Sequence, residues 1–155
     1  MNKLVLVVGI LFISFAACKK DAPECSPVTI AAPAAEVEAL RAYITAGGIT
    51  ATEDSRGFFY TINNAGSGNK PTACNAVTVN YVGKLTNGTT FDSGSGVSFS
   101  LSQLITGWQE GIPLIATGGS ITLYLPPSLA YGSSGAGSIP PNSNLIFEIT
   151  LVSIL

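Results

Sequence analysis

Histidine is absent from this 155-residue chain. The commonest general base and the commonest metal ligand go with it, which argues against triad hydrolases and His-ligated zinc. Charge is scarce as well: Asp, Glu, Lys and Arg make up 10% of the residues, and the formal net charge is -2. Neither a basic nucleic-acid surface nor a strongly acidic tail can be built from that, so no nucleic-acid partner is expected. Cysteine is limited to three residues and tryptophan to one. Any chemistry falls to carboxylates, tyrosines, thiols, or shape and burial alone.

What is present is apolar and rich in turn formers. Hydrophobic residues are 46% of the chain, beside 17 Gly and 9 Pro, a composition that suggests one strand-rich domain with short additions. Residues 1–17 carry one Lys, an apolar run and two small residues before Cys18. The run is shorter than the ~20 residues that span a bilayer, so it reads as a secretory signal. Its ending, FAAC, resembles the lipobox of bacterial lipoproteins, with Phe15 where Leu is usual. That resemblance implies lipidation at Cys18, a membrane tether over 18–33, and a place in the bacterial cell envelope; Lys19, where an Asp would favour retention, points to the outer membrane.

Residues 34–56 begin with AAEVEALRAYITA, which places Val37, Leu40, Tyr43 and Ile44 on one helical face before Gly47 and Gly48 stop it. Packing against the domain is the expected role, with a partner or second protomer as the alternative. Once Cys18 is lipidated, Cys25 and Cys74 remain, and in an oxidising compartment a disulfide is their expected state. It would close a loop of roughly 50 residues, for which chain entropy suggests about 4 kcal/mol. Two separated cysteines without histidine make no metal site.

From Gly57 the pattern becomes that of strands. FFYTIN, AVTVNYVGKL, VSFSL, SITLYL and NLIFEITLVSIL alternate, Asn87-Gly88 marks a hairpin with FDSGSG after it, and LITGWQEGIPLI holds Trp108 on a helix limited by Gly107, Gly111 and Pro113. The count predicts an α+β fold, an antiparallel five- to six-stranded sheet wrapped around one short helix. The loop between the last two strands is too rich in Gly, Ser and Pro for helix and presents two large side chains, Tyr131 and Ile139.

The strings VTVNYVGKL, NGTTFDSG, LITGWQEGI, LAYGSSGAG and IPPNSNLIFEITL, in this order, resemble the FK506-binding-protein (FKBP) type of peptidyl-prolyl cis-trans isomerase, over residues 57–155. The resemblance implies that Trp108 floors a prolyl pocket and that Tyr81, Phe91 and Phe147 wall it. Val97, Leu104, Ile105 and Ile139 complete it, with the Ile105 N–H meeting a substrate carbonyl. Tyr131 is implied as the phenol that donates to such a carbonyl, and Asp92 as the carboxylate beside the twisting amide. Gly94 in FDSG replaces a usual Ser, Val97 replaces an aromatic, and the Tyr131–Ile139 loop is shorter by one residue and lacks His.

Such a pocket needs no cofactor or metal, because no covalent bond breaks. Expected partners are proline-containing polypeptides, an FK506-like macrolide and, through the lipid, a membrane, with the chain a monomer. The competing reading from another class is a non-catalytic prolyl-peptide-binding module or holdase at the envelope.

Overall fold

The computed structural model describes Cys25 and residues 29–155. The expected signal sequence, the lipidated Cys18 and most of the tether lie outside the described residues.

A strap at 29–33 leads into helix α1, Ala34–Ala46. Six strands follow: β1 Thr52–Glu53, β2 Phe59–Asn64, β3 Ala76–Leu85, β4 Thr90–Ser100, β5 Ser120–Leu125 and β6 Leu145–Ile154. Helix α2, Thr106–Gly111, lies between β4 and β5. The sheet is antiparallel throughout, in the order β1-β2-β5-β6-β3-β4. This is the α+β architecture expected from the alternation, with β1 as a two-residue strand too short to show a period.

Alternation assigns the two faces. Val77, Val79, Ile121, Leu123, Leu125, Leu145, Phe147, Ile149 and Leu151 turn to one side and form the main core with Trp108 and Ile112 of the α2 region. Phe59, Tyr124 and Ile146 turn to the other and receive Val37, Leu40 and Ile44 of α1. Removing three aliphatic side chains from water contributes roughly 1.5–3 kcal/mol each, an upper range, so α1 is fastened to the domain. Two polar ties add direction: Arg41 pairs with Glu53 of β1 at 2.6 Å, and Glu36 accepts the Ser128 N–H at 2.9 Å.

Cys25 and Cys74 form the expected disulfide, with Cα atoms 5.5 Å apart. The turn at Asn87-Gly88 is also as expected, with the Asn87 side chain accepting the Thr89 N–H and Gly88 at φ 86°. FDSGSG, which follows that turn, is strand, part of β4. β3 supplies the ladder, pairing Gly83 with Asp92, Val82 with Ser93 and Tyr81 with Gly94, across two register shifts in β4.

Candidate functional site

The floor of the site is built on α2. The helix is as short as expected, six residues, with Gly107 inside it and Gly111 as its last residue, and both glycines face the sheet. A Cβ at Gly107 would lie 2.5 Å from the Leu125 methyls, and one at Gly111 2.6 Å from those of Leu123. Their spacing of four residues puts both on one helix face, so the helix sits directly on β5. That close seat lifts Trp108 on an adjacent face, 4% exposed.

Three aromatic rings meet the indole edge to face: Tyr81 at 5.2 Å between centroids, Phe147 at 5.3 Å and Phe99 at 5.9 Å. Such pairs hold geometry as well as area, at about 0.5–1.5 kcal/mol each beyond burial. With Asp92, Leu104, Ile105 and Tyr131 they line a cavity of about 130 Å³. The indole Nε1 is buried without a hydrogen-bond partner among the described residues. Gln109, 8% exposed, braces the segment before the helix by donating to the Leu104 carbonyl at 2.7 Å. The Ile105 N–H has no protein acceptor among the described residues, as befits the start of a helix.

Both oxygens of Asp92 are engaged at the mouth. Oδ2 accepts the Tyr81 hydroxyl at 2.8 Å and Oδ1 the Ser93 N–H at 2.8 Å. Burial, and after it the bond to Asp92, pushes the Tyr81 phenol up to about 12. Burial and then the charge of Asp92 push Tyr131 up too. Both phenols therefore stay protonated donors at neutral pH. Tyr81 spends its proton on Asp92, whereas the Tyr131 hydroxyl has no partner among the described residues, and its residue is 38% exposed.

Phe91 and Ile139, expected in the same cavity, line an adjoining groove with Ala136, Gly137 and Ser138. Asp92 and Tyr131 border both depressions and join them. Phe91 turns away from the Trp108 cavity because it packs on Phe147 from the other side, at 5.5 Å and 86°, over Gly83, where a Cβ would meet its ring at 2.6 Å. Ile139 is held at the loop tip by reciprocal backbone bonds with Ala136.

Val97 does not line the cavity, and the expectation that it forms a wall is corrected. It pairs with Val79, while Phe99, two residues on and pairing with Val77, is long enough to reach the indole. Val97 instead lies beside Gly94, where a Cβ would stand 2.7 Å from its Cγ2 and 2.7 Å from Tyr81 Cε1. Gly94 is thus more than a missing hydroxyl. Its bareness admits the Tyr81 ring.

A family model described as FKBP-type peptidyl-prolyl cis-trans isomerase matches residues 67–152. This chain belongs to the FKBP-type family. It is 43% identical over 121 residues to the FKBP-type isomerase FkpA of Aeromonas hydrophila, covering 76% of this chain and 44% of that protein. Against the isomerase Mip of Coxiella burnetii it is 45% identical over 105 residues, 64% of this chain and 46% of that one. The chain spans about half the length of these relatives. Among solved structures, FkpA from Escherichia coli superposes with a TM-score of 0.70 at 39% identity, over 78% of this chain and 60% of the other. A peptidyl-prolyl isomerase from Pseudomonas syringae pv. tomato gives 0.69 at 34%, over 79% and 96%.

For an FKBP-type domain, two residues of the site were not singled out by sequence reasoning. The alternation of VSFSL puts Phe99 on one face with Val97 and Leu101, which is the signal that could have found it. Gln109 left no signal, because its use depends on where the Leu104 carbonyl comes to rest in space.

Proposed function

We propose that this FKBP-type chain accelerates cis-trans isomerisation of X–Pro bonds in exported polypeptides. The observation that carries the reading is the Trp108 floor framed edge to face by Tyr81, Phe99 and Phe147, with one unspent phenol donor, Tyr131, at its mouth. An X–Pro amide rotates in tens to hundreds of seconds because the C–N bond must lose its partial double-bond character. That resonance form is dipolar, and water around the carbonyl favours it. A proline ring seated on Trp108 carries its amide into a place where aromatic carbon replaces water, which disfavours the planar, charge-separated amide.

Tyr131 orients the substrate by donating to a carbonyl, and the free Ile105 N–H is available to a second one. Asp92, held by Tyr81 and Ser93, contributes a fixed negative charge beside the rotating bond. Binding the twisted amide more tightly than either planar isomer lowers the barrier, each factor of ten in rate needing about 1.4 kcal/mol.

The setting we propose is the bacterial cell envelope: a leader ending at Ala17, a lipid on Cys18, and a domain tethered to the outer membrane as a monomer. The FAAC ending supports the anchor, and the packing of the α1 apolar face on the sheet supports the monomer. An FK506-like macrolide is the expected competitor for the cavity. Mass spectrometry of the mature N-terminus tests the lipid; sedimentation at two concentrations tests the monomer.

A proline-switch assay on the purified chain tests the activity. Acceleration is expected, with Trp108→Ala losing most of it and Tyr131→Phe part. Binding of prolyl peptides without acceleration, across a series of residues before proline, would replace the isomerase by a binding module.

A further inference from the structure

Glu110 stands two residues after Trp108 on α2, and 4% of it is exposed. Its Oε1 accepts the N–H of Ile30 from the strap at 3.3 Å. Its Oε2 is buried with no hydrogen-bond partner among the described residues, and Arg56 Nε lies 3.8 Å away. Arg56 is already engaged: it donates to both oxygens of Asp54 at 2.7 and 2.9 Å, and its carbonyl takes the Ala32 N–H at 2.8 Å. Residues 29–32 are therefore held at two points, on α2 and on the turn before β2. Upstream, Cys25 is bonded to Cys74. Asn75, the neighbour of Cys74, accepts the Leu101 N–H at 3.0 Å, at the start of the segment that runs to Leu104 and Ile105.

A buried carboxylate whose second oxygen has a distant cation at 3.8 Å and no hydrogen bond lowers stability, so its presence asks for a reason. α2 has six residues and no side-chain cap, and its seat on Leu123 and Leu125 is non-directional apolar contact. Direction has to come from polar bonds on its remaining face, and Glu110 supplies one. We propose that Glu110 is a positioning residue for the cavity floor: the strap, latched to it through Ile30 and retained by the Cys25–Cys74 bridge, fixes the tilt of α2 and with it Trp108.

The kinetic arm of the test rests on the isomerase reading; two further readouts do not. The full chain is compared with Glu110→Ala, with Glu110→Gln, and with itself after dithiothreitol. That dithiol gives two electrons and two protons to the bridge, leaving two cysteine thiols, and closes to its own cyclic disulfide. A displaced floor weakens the grip on the proline ring in ground state and transition state alike. KM and the Kd for a prolyl peptide should rise about tenfold in Glu110→Ala and on reduction, with kcat held within about twofold. The emission of Trp108, the single tryptophan, should shift in the same samples. Glu110→Gln keeps a carbonyl acceptor for Ile30 and should restore KM, Kd and emission.

A purely structural role would lower the active fraction, seen as a reduced apparent kcat at unchanged KM, and that result overturns the proposal. Glu110→Gln behaving like Glu110→Ala, or an unmoved Kd and emission, overturns it as well. Where Glu110→Ala does not fold, Ile30→Pro, which removes the latching N–H together with a largely exposed side chain, is set against Ile30→Ala, which keeps the N–H, and with the reduced chain carries the same comparison. If the parent chain proves inactive as an isomerase, the peptide Kd and Trp108 emission still decide the latch, so the two failures are told apart.

Discussion

The Tyr81 hydroxyl donates a hydrogen bond to Asp92 Oδ2 at 2.8 Å while its ring stands 5.2 Å from that of Trp108. One side chain thus sets both the aromatic wall of the cavity and the charge at its mouth. With the phenol pushed up to about 12, this bond keeps its donor across the whole working pH range. Asp92 cannot at the same time hold Tyr81 and serve as a freely moving proton acceptor. In the proposed mechanism its part is electrostatic and positional.

Tyr81→Phe keeps the wall and releases one oxygen of Asp92. Losing this hydrogen bond should cost folding stability about 1 kcal/mol; with a loss of the same size in transition-state stabilisation, kcat/KM in the proline-switch assay should fall about fivefold. An effect below twofold would remove this bond from the mechanism.

Gly94→Ser adds the hydroxyl that the resemblance implies is usual at this position, yet its Cβ has no room beside Tyr81 and Val97. One of the two must move, and the wall moves if Tyr81 yields. We expect a rise in the Kd for a prolyl peptide of about five- to tenfold, the lower end of overpacking costs of about 1–3 kcal/mol. Tighter peptide binding in a titration would refute this reading of Gly94.

Reducing Cys25–Cys74, or replacing both by Ser, opens a loop of about 50 residues. The chain-entropy relation gives a loss of about 4 kcal/mol, at the upper end of what such bridges deliver. The urea midpoint should drop accordingly with the slope m nearly constant. No change in midpoint would mean that the strap adds nothing to global stability.

Glu110 and Asp54 should affect acid stability with opposite signs. Burial raises the Glu110 carboxyl above its ordinary value, against the pull of Arg56 and the Ile30 N–H. Its contribution is then full below the unfolded value of about 4.3 and lost as pH rises through the folded one. Glu110→Gln should therefore raise the urea midpoint at pH 7 and leave it unchanged near pH 4. Asp54 is held low, first by its bond from Arg56. Its contribution is present above the unfolded value and lost as pH falls through the lower folded one, so Asp54→Asn should cost stability at pH 7 and progressively less below pH 4. Equal pH dependence for both variants would contradict this assignment.

Much of this molecule is written locally. The period of Val37, Leu40 and Ile44 made α1, the alternation of Val77, Val79 and Tyr81 made β3, and Asn87-Gly88 made the turn, because each depends on neighbours within a few residues. Five strings in family order identified the fold and put Trp108 beneath the site. Tertiary structure decided the rest. FDSGSG reads as turn chemistry until β3 offers it a ladder, and the register shifts in β4 then determine which side chains meet Trp108. Phe99 reaches the indole and Val97 stops at Gly94, a matter of length and register that no spacing rule records. Gly107 and Gly111, which look like helix stops, are the face on which α2 rests, since only the packed sheet shows what a Cβ would strike. The Glu110 contact with Ile30, eighty residues apart, exists only once the strap has been drawn across the helix.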